Sequence, residues 1–297
     1  MRRFLALSRM THALLDIAMP GFAALLWLGR FPDWHILLVS LLTVLAGYTA
    51  IYALNDLMGL RADREKFAAD GINQGYSVEA SDLRHPLAQN LLSVRSGMLW
   101  FGCWYALMLA GAYWLNPAIL LIVLAATVLE VVYCLLLKVT YWRTPVSGLV
   151  KSAGPIAAVY AVVPAPAFSG ILLMLLWLML WEIGGQNIPA DWNDVAEDKR
   201  VGARTIPQTF GPAISGWLVL AALIACVLIS LFLPVLSPLE LGMPYRFASG
   251  AIGILLLLVP ASRLWESRES RDAARLFSLA SYYPLALLLT VLFFIQW

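Results

Sequence analysis

Two acidic segments hold most of the residues that could do chemistry in this chain. The first is Asn55-Asp56-Leu57-Met58-Gly59-Leu60-Arg61-Ala62-Asp63. The second is Asp191-Trp192-Asn193-Asp194-Val195-Ala196-Glu197-Asp198. Each ends a long apolar run. A carboxylate beside hydrocarbon is costly and persists where something pairs with it. Hard cations such as Mg2+ suit a few carboxylates and complete their shell with water and phosphate oxygens. The pair of segments therefore predicts a shared cation site whose ligand carries phosphate.

Spacing sharpens the expectation. Helical residues three or four apart share a face, and Asn187, Asp191, Asp194 and Asp198 fall on one such stripe. Uncompensated acids there would repel one another, so the stripe calls for cations. Asp194 and Asp198 are spaced to share an ion or hold a pair. In the first segment Asn55, Gly59 and Asp63 share a face, with Asp56 one position round. The helix rise of ~10 Å between Asp56 and Asp63 predicts that one ion does not touch both. Gly59 stands where a carboxylate would complete the stripe, and it leaves room for backbone or ligand.

Basic residues beside the acids suit an anion bridged by metal: Lys138 and Arg143 near Tyr133, then Lys199, Arg200 and Arg204. A competing reading has the acids cap helices or pair with Arg61, Arg64, Lys199 and Arg200 at a wet interface. Lys151 lies inside an apolar segment. It could meet a diphosphate, pair with Glu130 or Glu182, or snorkel to the interface.

The elements that must position these residues are membrane helices. Of 297 residues, 61% are hydrophobic and 13% charged, and the mean hydropathy is +0.79. The apolar runs are too long for barrel strands, so an all-α integral membrane protein is expected. Runs of spanning length at 13–29, 36–56, 98–115, 117–137, 146–163, 168–187, 213–234, 247–262 and 276–296 predict nine transmembrane helices. With the N-terminus in the cytoplasm, every Lys and Arg except Arg30, Lys151 and Arg246 falls on the cytoplasmic side, a strong positive-inside bias. That places both acidic segments on the cytoplasmic face of the inner membrane and the C-terminus outside. The long polar connections 57–97 and 188–212 fall on the same face as a helical cap. Residues 1–297 read as a single membrane domain, with motif loops at 55–97 and 187–212.

Other features are expected to be structural. Cys103, Cys134 and Cys226 lie in apolar runs without a Cys-x-x-Cys pair, which predicts buried, inert thiols. Met1-Arg2-Arg3 opens a retained amphipathic helix with no convincing cleavage site. The 12 Trp, 11 Tyr and 12 Phe are mainly interfacial anchors, Trp192 among them. Neither a nucleic acid nor an obligate protein partner is expected.

The chain resembles the UbiA superfamily of intramembrane prenyltransferases, and the 4-hydroxybenzoate polyprenyltransferases among them. The family's first motif, Asn-Asp-x-x-Asp-x-x-x-Asp, matches Asn55 to Asp63. Its second, Asp-x-x-x-Asp with an Arg-Thr-Leu-Pro-like tail, matches Asp194 to Asp198 and Arg204-Thr205-Ile206-Pro207. A Tyr and Lys pair closing the fourth helix matches Tyr133 and Lys138. An Arg-Pro-Leu element resembles Arg84-His85-Pro86-Leu87, with one extra residue. The resemblance covers essentially the whole chain.

It implies two Mg2+ ions that bind the diphosphate of a prenyl donor, an allylic cation, and attack by an aromatic or other lipophilic acceptor. Asp56, Asp63, Asp194 and Asp198 would be catalytic metal ligands, joined by Asp191 from the helical stripe. Asn55, Arg64, Tyr133, Lys138, Lys199 and Arg204 would contact the diphosphate. Gly59 departs from the pattern and puts the first ion in question. The alternatives are a membrane terpene cyclase, which quenches the cation within its own substrate, and an inactive lipid-binding homologue. A transporter is disfavoured, because the acids lie at the membrane face and nine spans do not divide into even inverted repeats.

Overall fold

Backbone in hydrocarbon must satisfy its own hydrogen bonds, so the apolar runs become helices. The computed structural model describes residues 1–67 and 83–295. A short helix, Arg2–Leu7, precedes α1 (Met10–Leu28). Then follow α2 (Trp34–Phe67), α3 (Val94–Leu115), α4 (Pro117–Lys138), α5 (Arg143–Val162), α6 (Phe168–Asn193), α7 (Ile206–Ser230), α8 (Gly242–Ser267) and α9 (Ser270–Phe294). No strand occurs among the described residues.

Eight of these helices are long and apolar enough to cross a membrane, against the nine expected. The exception is α5, a helix of 20 residues. Arg143, Thr144, Ser147, Lys151 and Ser152 make its first half polar. Arg143, Thr144 and Ser152 are buried, while Ser147 and Lys151 line an internal cavity. The polarity of α5 is thus turned inward, and a hydropathy average does not register it as a membrane face.

The helix α2 also departs from expectation. Its apolar part ends at the first acidic segment, but the helix continues to Phe67. One glycine costs a helix about 1 kcal/mol, and good helix formers such as Leu60, Arg61 and Glu65 surround Gly59. Asn55 to Asp63 therefore sits on unbroken helix, not in a loop. The expected cap between 68 and 82 lies outside the described residues.

Helix α2 packs on α3, α4 on α5, and α1 on α5 and α9. The core is built from Phe22 and Leu26 of α1, Trp177 and Trp181 of α6, and Tyr283 of α9. Trp192 joins this core at 4% exposure and is no interfacial anchor. The outer walls of α3 and α4 present Leu99, Trp114, Leu121, Val128 and Leu135 outward, as lipid contact requires. Of the three cysteines Cys226 is buried, Cys134 half-buried and Cys103 exposed, so the expectation of three buried thiols holds for one.

Helix α6 is not regular. Residues Glu182–Asn187 form a π-helical turn. Gly184 and Gly185 sit in it because a Cβ would come within 2.9 Å of Leu223 and of Ala280 respectively. Asp194 then leaves helical geometry at φ −95, ψ 10. A short helix, Val195–Val201, follows and stops at Gly202 in the left-handed region (φ 67). The Arg204-Thr205-Ile206-Pro207 tail is the turn that starts α7, with proline in its first turn.

Candidate functional site

The first acidic segment presents Asp56 and Asp63, both buried, on α2. Facing them is the loop 83–93. Leu87 anchors it in a small apolar cluster with Leu7 and Ala53. Arg64 Nη2 donates to Asn90 Oδ1 at 3.1 Å and Arg3 Nη1 to the Leu91 carbonyl at 3.0 Å. His85 adopts φ 52 just before Pro86, a left-handed conformation uncommon outside glycine.

This turn places His85 Nδ1 2.7 Å from Asp56 Oδ1 and 3.0 Å from Asp63 Oδ2. The two carboxylates therefore reach a common point, contrary to the expectation from helix rise. Helical side chains lean toward the N-terminus, and Asp63 leans back over Gly59. A Cβ at Gly59 would come within 3.1 Å of Asp63 Oδ2. Burial opposes a charge on His85, but Asp63 and Asp56 outweigh it and raise its pKa above the ordinary histidine value.

The acids of the second segment are each paired across the bundle. Arg143 Nη1 donates to Asp191 Oδ1 at 2.8 Å. Arg84 Nη2 lies 2.6 Å from Asp194 Oδ2, and Lys66 Nζ 2.7 Å from Asp198 Oδ1. The stripe is thus compensated by protein cations, and by other ones than Arg61, Arg64, Lys199 and Arg200. Burial raises the carboxyl pKa of Asp198 against the opposing pull of Lys66. One oxygen each of Asp56 and Asp191, both buried, has no hydrogen-bond partner among the described residues.

A divalent cation fits this donor set. Asp56, Asp63 and His85 each offer a ligand atom, all within 4.8 Å of one another, and among the described residues they are the one such group of three. The second segment's acids lie alongside and do not join that group.

The other expected residues divide into two sets. Asn55 donates to Glu130 Oε1 at 2.6 Å and accepts from Arg9 Nη2 at 3.3 Å. The Tyr133 hydroxyl accepts from Asn187 Nδ2 at 3.1 Å, and the Arg143 guanidinium lies 4.1 Å from the centre of its ring. These stand beside the acids. Lys138 pairs with Glu65 at the surface. Lys199 is exposed, and Arg204 donates to the Val139 carbonyl at 3.3 Å. Arg64 holds the His85 loop, as described.

Lys151 pairs with Asp16 Oδ2 at 2.6 Å and with the Tyr52 hydroxyl at 3.0 Å. Its partner is therefore neither Glu130 nor Glu182, which are held by Asn55 and by Ser147. Lys66, Arg84 and His85 are the site residues that spacing did not reveal. The Arg84-His85-Pro86-Leu87 run was visible, but no local periodicity ties it to α2.

A cavity of ≈ 600 Å³ begins at Asn55, Tyr133, Asn187 and Ala190 and continues to Phe31, Leu37 and Leu292. Along α2 its lining runs from Leu37 to Asn55, ~27 Å of helix rise. Small residues leave the space, among them Gly47, Ala50, Gly154, Ala157 and Ala158. Lys151, Glu182 and Ser147 are among the polar groups of its lining, with Tyr48, Tyr52 and Gln186.

The model of the UbiA prenyltransferase family matches residues 17–294. No curated protein matches the chain by sequence. Solved structures with the same fold include the apo form of a UbiA homologue from Aeropyrum pernix K1, at 18% identity and TM-score 0.75, covering 95% of this chain and 98% of that one. A UbiA homologue from Archaeoglobus fulgidus, solved with GPP and Mg2+, is 18% identical at TM-score 0.70, with 97% and 99% covered. A digeranylgeranylglyceryl phosphate synthase is 16% identical at TM-score 0.70, with 99% and 97% covered. The family match spans nearly every element that shapes the acidic site and its cavity, and the chain belongs to the UbiA prenyltransferase family.

Proposed function

We propose that the protein moves a prenyl group from a prenyl diphosphate to a lipophilic, aromatic acceptor, with Mg2+ as the divalent cation. The observation that carries this reading is the cavity of ≈ 600 Å³, mostly apolar, which opens beside the paired acids. A molecule with an anionic head and a long apolar tail matches it. Two UbiA homologue structures from Archaeoglobus fulgidus, solved with GPP or DMAPP and Mg2+, support the same chemistry.

In this reading Asp56, Asp63, Asp191, Asp194 and Asp198 hold the cations. Bound cations would neutralise the diphosphate as its bond to the allylic carbon breaks. Asn55 and Tyr133 border the reacting carbon at the cavity mouth. Arg143, Arg84 and Lys66 keep the acids paired until the donor arrives and then supply positive charge beside its diphosphate. Arg64, Lys138, Lys199 and Arg204 stand further out, where they draw the anion in. The apolar walls keep water from the allylic cation until the acceptor attacks. The positive-inside bias supports a cytoplasmic position for this end of the bundle.

The test uses purified protein in nanodiscs with Mg2+, prenyl diphosphates of several lengths and a panel of phenolic acceptors, read by mass spectrometry and diphosphate release. Prenylated acceptor should form, disappear with a chelator, and fall roughly 100-fold in Asp198→Asn. Diphosphate release with a cyclised product and no acceptor consumed would replace this reading with the cyclase. Neither release nor product across the panel would overturn it.

A further inference from the structure

We infer that His85 is a ligand of the first metal ion, so that this ion is held by two carboxylates and an imidazole nitrogen. The inference deepens the proposed function, naming the ligand set of its cation site. Three observations support it. First, His85 Nδ1 lies 2.7 Å from Asp56 Oδ1 and 3.0 Å from Asp63 Oδ2. Neighbouring ligands on an octahedron with bonds of ~2.1 Å are about 3.0 Å apart, so each carboxylate oxygen is already spaced from the nitrogen as a neighbouring donor would be, and one ligand atom from each of the three residues lies within 4.8 Å of the others. Second, Asp56 is 3% exposed, and its Oδ2 is buried without a hydrogen-bond partner among the described residues. A buried carboxylate oxygen left in this way is an open coordination position. Third, the imidazole is held by the fold. Leu87 anchors its loop under α2, and Pro86 follows directly, so the ring does not need to move for an ion to bind beside it.

The consequence is a change in metal preference. Oxygen-only sites suit Mg2+ and Mn2+, whereas an imidazole nitrogen suits transition ions such as Fe2+, Ni2+ and Zn2+; of the first two only Mn2+ is a transition ion, and it accepts the nitrogen more readily. This chain should bind Mn2+ more tightly, relative to Mg2+, than an all-carboxylate version of itself would. That version can be made: Gly59→Asp with His85→Gln returns an oxygen donor to the same helix face and removes the nitrogen.

The same distances would serve an imidazolium that merely neutralises Asp56 and Asp63 and departs when a cation arrives. Pulsed electron paramagnetic resonance separates the two. One equivalent of Mn2+ is added to the purified, full-length protein without substrate. Nitrogen-14 hyperfine coupling to the Mn2+ is expected in the wild type. It should be absent in His85→Gln and retained in His35→Gln, which lies at the far end of α2. By calorimetry, His85→Gln should weaken Mn2+ binding by on the order of 10-fold or more, and Mg2+ binding by less.

Manganese bound without nitrogen coupling, coupling that survives His85→Gln, or no Mn2+ binding by the wild type would each overturn the assignment. A wild-type spectrum without nitrogen coupling overturns the assignment even if a variant fails to fold. Prenyl transfer with no nitrogen coupling would remove His85 and leave the proposed function standing. Coupling with no transfer across the substrate panel would do the reverse.

Discussion

Lys151 shows how one residue's charge is kept inside an apolar bundle. Its ammonium meets Asp16 at 2.6 Å, and the Asp16 carboxylate also accepts a hydrogen bond from the Tyr52 hydroxyl. Breaking a buried pair by removing one partner leaves the other charge unpaired, typically at a cost of about 3–5 kcal/mol. Lys151→Met and Asp16→Asn should each lower thermal stability in detergent by that order. The double variant should lose clearly less than their sum. Additive losses in that cycle would mean that the pair contributes nothing as a pair. Lys151 stands out in the sequence and Asp16 does not, because the two are 135 residues apart. The same limit explains the acids. Asn187, Asp191, Asp194 and Asp198 were legible as a set because their relation is local, three and four residues along one segment. Their counter-ions Lys66, Arg84 and Arg143 reach them through the tertiary fold, and no spacing rule points to them. His85 is visible only as the extra residue of the Arg84-His85-Pro86-Leu87 run, and nothing local in that run places its ring between Asp56 and Asp63.

At the scale of elements, apolar length was a dependable guide to where helices lie and a poor one to where they end. Helix α2 runs past its apolar part because charged, helix-forming residues carry it on. The short helix after Asp194 restarts what a periodicity of 3.6 would have drawn as one stripe. The π turn at Glu182–Asn187 is likewise outside any such pattern. What α5 does was hidden by averaging, since one face carries Arg143, Ser147 and Lys151 while the next turns are small. Those small residues make a testable wall. Ala158 lies 15 positions beyond Arg143 and lines the cavity, ~22 Å deeper along the helix. Ala158→Phe should leave turnover of a short donor such as DMAPP within about twofold while depressing a long polyprenyl diphosphate by 10-fold or more. A bulky ring in a packed apolar channel costs about 1–3 kcal/mol. Competition between a short and a long donor in one reaction measures the ratio. An unchanged ratio would place the donor tail elsewhere.

The whole molecule adds a dimension that neither residues nor single helices contain. Helix α2 has 34 residues, a length of ~51 Å, against a hydrocarbon thickness of ~30 Å. Even a strongly tilted α2 outlasts the bilayer core, and the end that emerges bears Asp56, Asp63 and Lys66. On the proposed function the metal site lies at the level of the lipid headgroups, and the surface charge of the membrane becomes part of its affinity. A leaflet at ~−30 mV concentrates a divalent cation about 10-fold next to the surface. In nanodiscs, replacing a zwitterionic lipid by an anionic mixture should lower the Mg2+ concentration for half-maximal activity by about that factor. The shift should vanish as salt rises toward 1 M, where the screening length shrinks to ~3 Å. A half-saturation point indifferent to lipid charge would place the site out of reach of the surface potential. If the shift is seen, the composition of the bilayer acts as a rheostat on this enzyme, setting how much of a cell's free cation the site perceives.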